Sequence, residues 1–429
     1  MISRKQKFLT VVLIIILAVA IVAGVFGISY YMGGVTFPWE VVSVDSDDTQ
    51  SAENTDEISQ VEEDVSDDEI DEDISDSVTE ETKTKEDKSD TKHSKNDDSD
   101  ADTDDESDDV TADGVAATGN NYGFYGALSV DGTNLVDSDG NLVQLIGVST
   151  HGLSWYPEYA SAETIASLKE NWGINVIRLA MYTSDYNGYC VGGDDIQAAL
   201  KDTIDAAVEA ATANDMYVII DWHTLNDGDP NEYKSQAIQF FGETVRKYAD
   251  YDNVIYEICN EPNGDTTWDD VVKYAKEVIP VIRNVDSDAL ILVGTPDYGK
   301  DLDSVIENPL EFDNVMYTYH FYAGSDKSSA RNTLIDALEA GLPVFISECG
   351  FVSDDGDGDV DTKESAKWLD VIEEYGLSTV VWNLSNKDEG SALISSDSDL
   401  TKNWAYDDLS EQGQYFFDWL SDYEGYTEE

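Results

Sequence analysis

From residue 142 to residue 384 the sequence alternates apolar runs of β type with longer helical stretches. The β-type runs fall at 142–150, 174–182, 217–224, 253–261, 290–295, 314–322, 343–348 and 378–384. Between them lie helical stretches such as 195–213 and 268–283. In the latter, Val271, Val272, Ala275, Val278, Ile279 and Ile282 recur at helical spacing on one face. Pro280 has no amide hydrogen to donate and is expected to kink that helix or end it early. The run at 290–295 is followed by a poor helix. Strand and helix in regular alternation over roughly 280 residues fit a (β/α)8 TIM barrel of the α/β class better than an open doubly wound sheet. Two turn signals, Asp131-Gly132 and Asp139-Gly140, break up short apolar runs within 127–147 and predict a small hairpin ahead of the barrel.

The first third of the chain is of a different kind. Residues 1–7 carry Arg4, Lys5 and Lys7, and residues 8–32 contain no charge. As a helix, that uncharged run spans roughly 37 Å, enough to cross a hydrocarbon core of about 30 Å. The basic flank keeps the N-terminus cytoplasmic and sends the rest outward, so 8–32 reads as a transmembrane signal-anchor. The alternative is a signal peptide cleaved near Val22-Ala23-Gly24, in which case the protein is secreted. Residues 43–120 are dominated by Asp, Glu, Ser and Thr, with no aromatic between Trp39 and Tyr122. Such a segment cannot bury enough apolar surface to offset its ordering entropy, and it is expected to be a disordered, self-repelling linker. The domain map is then a basic cytoplasmic end at 1–7, an anchor at 8–32, a linker at 43–120 and a barrel domain at 121–425.

The 429-residue chain has a formal net charge of −67. That charge excludes nucleic acid, whose phosphates it repels, and disfavours docking on anionic lipid. A neutral polymer is indifferent to it. Three cysteines (Cys190, Cys259, Cys349) make no disulfide framework, and no Cys/His cluster has zinc spacing. Free thiols are expected.

In a barrel of this type, function sits at the C-terminal ends of the strands. Taken in order, those ends hold His151 and Trp155, then Arg178 and Tyr182, then Trp222-His223, then Asn260-Glu261. The fifth run leads to Tyr298, the sixth ends in His320 and Tyr322, the seventh in Glu348 and the eighth in Trp382. His93 lies in the acidic segment, and all three other histidines fall at these tips. Each residue alone has a plain reading, as a packed histidine, a surface acid or a structural arginine. The set is what carries meaning: two carboxylates, an arginine, three histidines, an amide and several aromatics converge on one face. A metal held by His223, His320 and a carboxylate is disfavoured by the adjacent Arg178, and no metal or cofactor is expected. No nucleophile elbow or phosphate-binding glycine loop competes. Paired carboxylates with flanking aromatics suit glycoside hydrolysis, in which one acid gives a proton to the leaving oxygen and the other attacks the anomeric carbon.

The segments LVDSDGNLVQLIGVSTHGLSWY, WGINVIRLAMYTS, YVIIDWHTLNDGDPN, VIYEICNEPNGDTTW, VMYTYHFYAG, PVFISECG and VVWNLSNKDE occur in this order within 124–421. In that order they resemble glycoside hydrolase family five, the cellulase family, and its bacterial endo-β-1,4-glucanases. The resemblance implies a retaining enzyme with Glu261 as acid/base and Glu348 as nucleophile. It implies that Arg178, His223, Asn260, His320, Tyr322 and Trp382 line the subsite where the bond breaks. Trp155, Trp382, Lys387 and Glu389 would hold sugar units on the non-reducing side, Tyr298 would stack on the leaving group, and His151 and Tyr182 are further expected substrate-binding residues. Arg178 is expected to keep Glu348 ionised, while Glu261 is expected to start protonated. Cys349 stands where relatives are expected to have an aromatic, and Tyr298 where many have Trp, which bears on subsite shape. The expected protein is a monomeric cellulase of the outer cell surface. Mannanase, xyloglucanase or lichenase activity on the same scaffold, or a non-catalytic glycan-binding surface protein, are the alternatives. No carbohydrate-binding module is recognisable after the last helix, so weak binding to crystalline cellulose is expected.

Overall fold

The computed structural model describes residues 123–423 and Gly425. The cytoplasmic end, anchor and linker read at 1–7, 8–32 and 43–120 lie outside the described residues. Among the described residues, no helix is long and apolar enough to cross a membrane.

A short antiparallel hairpin comes first, β1 (Ser129–Asp131) against β2 (Asn134–Val136). Eight parallel strands then close into a barrel: β3 (Ile146–Thr150), β4 (Val176–Tyr182), β5 (Tyr217–His223), β6 (Val254–Glu257), β7 (Ile291–Val293), β8 (Val315–Tyr322), β9 (Val344–Gly350) and β10 (Thr379–Leu384), with β10 paired to β3. Every residue of these eight strands is buried. This explains why the sequence shows continuous apolar runs rather than alternation: both faces of a parallel sheet are covered. Helices α1 (Ala162–Ser167), α2 (Asp194–Ala213), α3 (Lys234–Tyr248), α4 (Trp268–Arg283), α5 (Asp303–Glu307), α6 (Ser328–Glu339), α7 (Thr362–Tyr375) and α8 (Glu411–Asp422) lie along the chain between and after the strands. Helix α4 starts on a capping box between Thr267 and Asp270 and ends at Arg283, within a turn of Pro280. The poor helix expected after residue 295 is the short α5.

Two strands end well before the apolar runs that announce them. The run 253–261 yields a strand only to Glu257. Beyond it the chain leaves the ladder, and the Glu261 amide donates to the carbonyl of Thr224. The run 290–295 yields Ile291–Val293. Both strands end where polar residues turn into the barrel mouth.

The hairpin has a structural task. Leu128 and Leu135 pack with Val176, Tyr217, Ile219, Ile255, Leu292, Met316, Phe345 and Val380, a cluster separate from the larger strand–helix core. These are inward residues near the strand starts, so the hairpin closes the barrel opposite the active face. We expect Leu135→Ala, at a side chain only 4 % exposed, to lower the unfolding free energy by about 2–4 kcal/mol in denaturant titrations of the full chain.

Candidate active site

Alternate residues of a strand share a face, and each inward row here changes from apolar to polar along its length. In β5 the row Tyr217, Ile219 belongs to the lower core and continues as Asp221 and His223. In β6, Ile255 is followed by Glu257, and in β4, Val176 is followed by Arg178. Strand β9 breaks the rule. Thr318 pairs with Phe345, but His320 pairs with Glu348, and on the other side Thr379 pairs with Ile346 while Val381 pairs with Cys349. Both neighbours therefore register one extra residue in β9, a β-bulge. It lets the consecutive residues Ser347 and Glu348 both make contacts inside the barrel, as the hydrogen bonds below require.

Arg178 is wholly buried at the centre. Its Nε donates to Glu257 Oε2 at 2.6 Å, one terminal nitrogen donates to Glu348 Oε2 at 3.1 Å and to Ser149 Oγ at 3.3 Å, and the other donates to Asn260 Oδ1 at 2.7 Å and meets Asp221 Oδ2 at 3.0 Å. One positive charge is thus shared by three buried carboxylates. The consequence differs from the expectation that Arg178 holds Glu348 well ionised: burial pushes the Glu348 carboxyl up, Glu261 adds to this, and His320 and Arg178 only oppose it. Burial likewise raises Glu257, and it pushes Asp221, whose Oδ1 is buried without a partner, up to about 7.

The hydrogen bonds fix the protons. Because Arg178 donates to Asn260 Oδ1, Asn260 Nδ2 faces Thr224 O at 3.1 Å and His223 Nε2 at 3.2 Å. His223 Nε2 is then an acceptor, and its proton sits on Nδ1, donating to Asp221 Oδ2 at 2.6 Å. Burial holds this imidazole neutral, with its pKa well below the usual value. Glu348 also accepts from the Tyr322 hydroxyl at 2.8 Å. Glu261 is placed differently. Its Oε1 lies 2.8 Å from His320 Nδ1, and burial pushes its carboxyl up to about 8.

An open cleft of about 980 Å³ lies over these groups. One wall is a set of interlocked rings: Trp155 stands edge-on to Tyr182 at 4.8 Å, Tyr182 lies 4.1 Å from His223, and Trp382 stacks on His223 at 5.4 Å and tilts on His151 at the same separation. Lys387 and Glu389 pair along this wall. On the opposite side Tyr298 stands 46 % exposed. Its backbone and that of Asp297 are both left-handed, with φ of 58° and 55°. Gly299 follows at φ 74°, and a Cβ there would stand 2.8 Å from His320 Cγ, so glycine is required.

The structure brings Arg178, Tyr182, His223, Asn260, Glu261, His320, Tyr322, Glu348 and Trp382 together, with His151, Trp155, Lys387, Glu389 and Tyr298 lining the walls. Sequence reading missed Asp221, Glu257 and Ser347. Asp221 and Glu257 were findable, since each lies two residues from an inward position. Ser347 was not, because a bulge decides its direction. Among the described residues, the side chains able to converge on a metal are Glu261, His320 and Glu348 rather than His223, and Arg178 places a permanent positive charge beside them. All three cysteines are free.

Carboxylate oxygens of Glu261 and Glu348 lie within 4.8 Å of each other. Rings along a cleft stack on pyranose faces, and amide, imidazole and phenol groups meet hydroxyls. The fold and this cleft define a glycoside hydrolase.

Known proteins narrow the class. The model of the family described as cellulase (glycosyl hydrolase family 5) matches residues 136–388, and the chain belongs to that family. Endoglucanase A of Butyrivibrio fibrisolvens is 59 % identical over 422 residues, covering 98 % of this chain and 95 % of that one. An endoglucanase of Clostridium saccharobutylicum is 42 % identical over 293 residues, covering 68 % of this chain and 64 % of its own. Among solved structures, the catalytic domain of a Thermobifida fusca endoglucanase superposes with a TM-score of 0.65 at 35 % identity, covering 69 % of this chain and 97 % of that one.

Raised carboxyl pKa values have a thermodynamic signature. Asp221 moves from 3.8 to about 7 and Glu261 from 4.5 to about 8, so the folded state binds more protons than the unfolded one in between. Their contribution to stability is complete below about pH 4 and is lost as pH rises toward 8. His151, His223 and His320, buried with lowered pKa values, act in the opposite sense up to about pH 7, so the unfolding free energy should fall from pH 7 to pH 8, and Glu261→Gln should flatten that slope in denaturant titrations. An unchanged slope would contradict the assignment of the raised value to Glu261.

Proposed function

We propose that the protein is a retaining endo-β-1,4-glucanase that cuts internal bonds of cellulose or a related glucan by double displacement, with Glu348 as nucleophile and Glu261 as acid/base. The observation that carries this reading is that an oxygen of each carboxyl group lies within 4.8 Å of an oxygen of the other, which leaves little room for a water between them. A retaining pair lies about 5–5.5 Å apart, whereas an inverting pair needs ~6.5 Å or more to seat a water between acid and base. The roles follow from the surroundings. Glu348 accepts from Arg178 and from Tyr322, two donors that favour its ionised form, while Glu261 faces a ring nitrogen and has its carboxyl pushed up to about 8.

In the first step the Glu348 carboxylate bonds to the anomeric carbon as the glycosidic bond breaks, and Glu261 gives its proton to the departing oxygen. In the second, Glu261 takes a proton from water, whose oxygen bonds to the anomeric carbon and releases Glu348. Asn260, held by Arg178, Thr224 and His223, has one lone pair of its amide oxygen left to accept from the 2-hydroxyl of the reacting sugar. His151, Trp155, Tyr182, Trp382, Lys387 and Glu389 bind the non-reducing side, and Tyr298 stacks on the leaving group. The charged lining suits a neutral glucan, and mannan, xyloglucan or mixed-linkage glucan are the competing substrates.

Glu348→Gln and Glu261→Gln should each lower kcat on cello-oligosaccharides by about a thousandfold. On an aryl cellobioside whose leaving group needs no proton, Glu261→Gln should show a burst of aryl alcohol and Glu348→Gln none. Substantial turnover by Glu348→Gln would remove it as nucleophile. Proton NMR of the first product should show the β anomer.

The same proposal places the barrel domain, 121–425, outside the cell on the acidic linker 43–120, held by the uncharged run 8–32 behind the basic residues 1–7, as a monomer on the membrane surface. The support is the length of that run and its basic flank. Intact protein in the membrane fraction, with residues 1–7 detected by mass spectrometry, is the expected result. Soluble protein beginning near residue 24 would replace the anchor with a signal peptide.

A further inference from the structure

Behind the cleft a continuous run of hydrogen bonds joins the two carboxyl groups that face the substrate. Glu348 Oε2 accepts from Arg178, and Arg178 Nε donates to Glu257 Oε2 at 2.6 Å. Glu257 Oε1 accepts from Ser347 Oγ at 2.7 Å, Ser347 Oγ lies 2.9 Å from His320 Nε2, and His320 Nδ1 lies 2.8 Å from Glu261 Oε1. Arg178, Glu257, Ser347 and His320 are fully buried, so no solvent interrupts the run.

The direction of each proton is forced from one end. The guanidinium only donates, and Glu257, paired with it, accepts at both oxygens. Ser347 has one hydroxyl hydrogen, and that hydrogen goes to Glu257. Only a lone pair of Ser347 faces His320, so His320 must carry its hydrogen on Nε2. Burial first, and Arg178 and Lys300 as positive neighbours, hold the ring neutral. Its Nδ1 is then a bare lone pair aimed at Glu261. A carboxylate there would set acceptor against acceptor at 2.8 Å, and a carboxylic acid turns the contact into a hydrogen bond.

We propose that Ser347 and Glu257 are positioning residues that lock His320 in its Nε2–H tautomer, and that this lock makes the Glu261 carboxyl keep its proton until the leaving oxygen takes it. The proposal rests on the assignment of Glu261 as acid/base. It also gives the β9 bulge a role, since without the extra residue Ser347 and Glu348 would point to opposite faces. The same lock serves the second half of the reaction: an ionised Glu261 facing a lone pair is a stronger base toward the attacking water. The other charged or titratable groups around His320 and Glu261 are Arg178 and Tyr182 on β4, Asp221 and His223 on β5, Glu257 on β6, Lys300 after β7, Tyr322 on β8 and Glu348 on β9. None of them donates a hydrogen bond to His320, so the tautomer is set by Ser347.

Removing the hydroxyl frees the ring. With Ser347→Ala, His320 can move its proton to Nδ1 and donate to an ionised Glu261, which lowers the pKa of that carboxyl. The alkaline limb of kcat/KM against pH on cellotetraose or cellopentaose should then move down by about one pH unit, and Ser347→Thr should restore it. In the unaltered full chain, nitrogen-15 spectra of labelled histidine, with the His320 signals identified by their loss in His320→Gln, should show the hydrogen on Nε2. In Ser347→Ala it should move to Nδ1. A proton on Nδ1 in the unaltered protein overturns the proposal whatever the variants do, as does an alkaline limb that stays or rises in Ser347→Ala. If Glu261→Gln keeps full activity on the same oligosaccharide, the acid/base assignment falls. If it loses activity while Ser347→Ala leaves the limb in place, only the tautomer lock falls.

Discussion

The site is built on one buried guanidinium. Taking a charge of this size out of water costs several kcal/mol, and the loss is recovered only if every donor finds an acceptor. Arg178 meets that demand with Asp221, Glu257 and Glu348 on three different strands, and with Asn260 and Ser149 besides. In doing so it fixes the rotamers of the residues it touches and orients the Asn260 amide, which in turn sets the His223 tautomer. The charges do not balance, however. Three carboxylates share one cation, and Glu261 stands near as a fourth. The unmet negative charge and the burial together push these carboxyl groups up rather than down. A local excess of acid at the barrel centre is therefore the physical source of a proton held near neutral pH.

Much of this was legible in the sequence, for identifiable reasons. Strands covered on both faces produce apolar runs, so the eight runs located the eight barrel strands within a few residues. Polar residues that end an apolar run have few purposes other than to face the mouth, and this singled out His223, Asn260, Glu261, His320 and Glu348. The less visible residues failed for two different reasons. Asp221 and Glu257 are marked only by their place two residues along an inward row, since one more acid in a chain with 91 of them carries no signal of its own. Ser347 depends on pairing with both neighbouring strands, because the bulge shows only when β8 and β10 are laid beside β9. Register is a property of the sheet, and a single strand read alone does not contain it. Arg178 favours the ionised form of Glu348 as expected, but burial and the neighbouring Glu261, brought in from distant parts of the chain, outweigh it.

The two sides of the cleft are held to different standards of rigidity, and on the proposed reading this bears on how a glucan chain is gripped. On the non-reducing side His151, Tyr182, His223 and Trp382 pack ring against ring and are nearly buried, so ordering a sugar there costs the protein little conformational entropy. On the leaving-group side Tyr298 stands nearly half exposed on a left-handed turn, with no ring packed on it among the described residues. A pre-formed wall binds the part of the chain that becomes covalently attached. A single exposed ring contributes stacking area on the side that must depart after the first step. Tight binding on that side would slow release of the first product without stabilising the bond-breaking geometry. The asymmetry thus follows the order of events: the retained half of the substrate meets the rigid wall, and the half that leaves first meets the loose one.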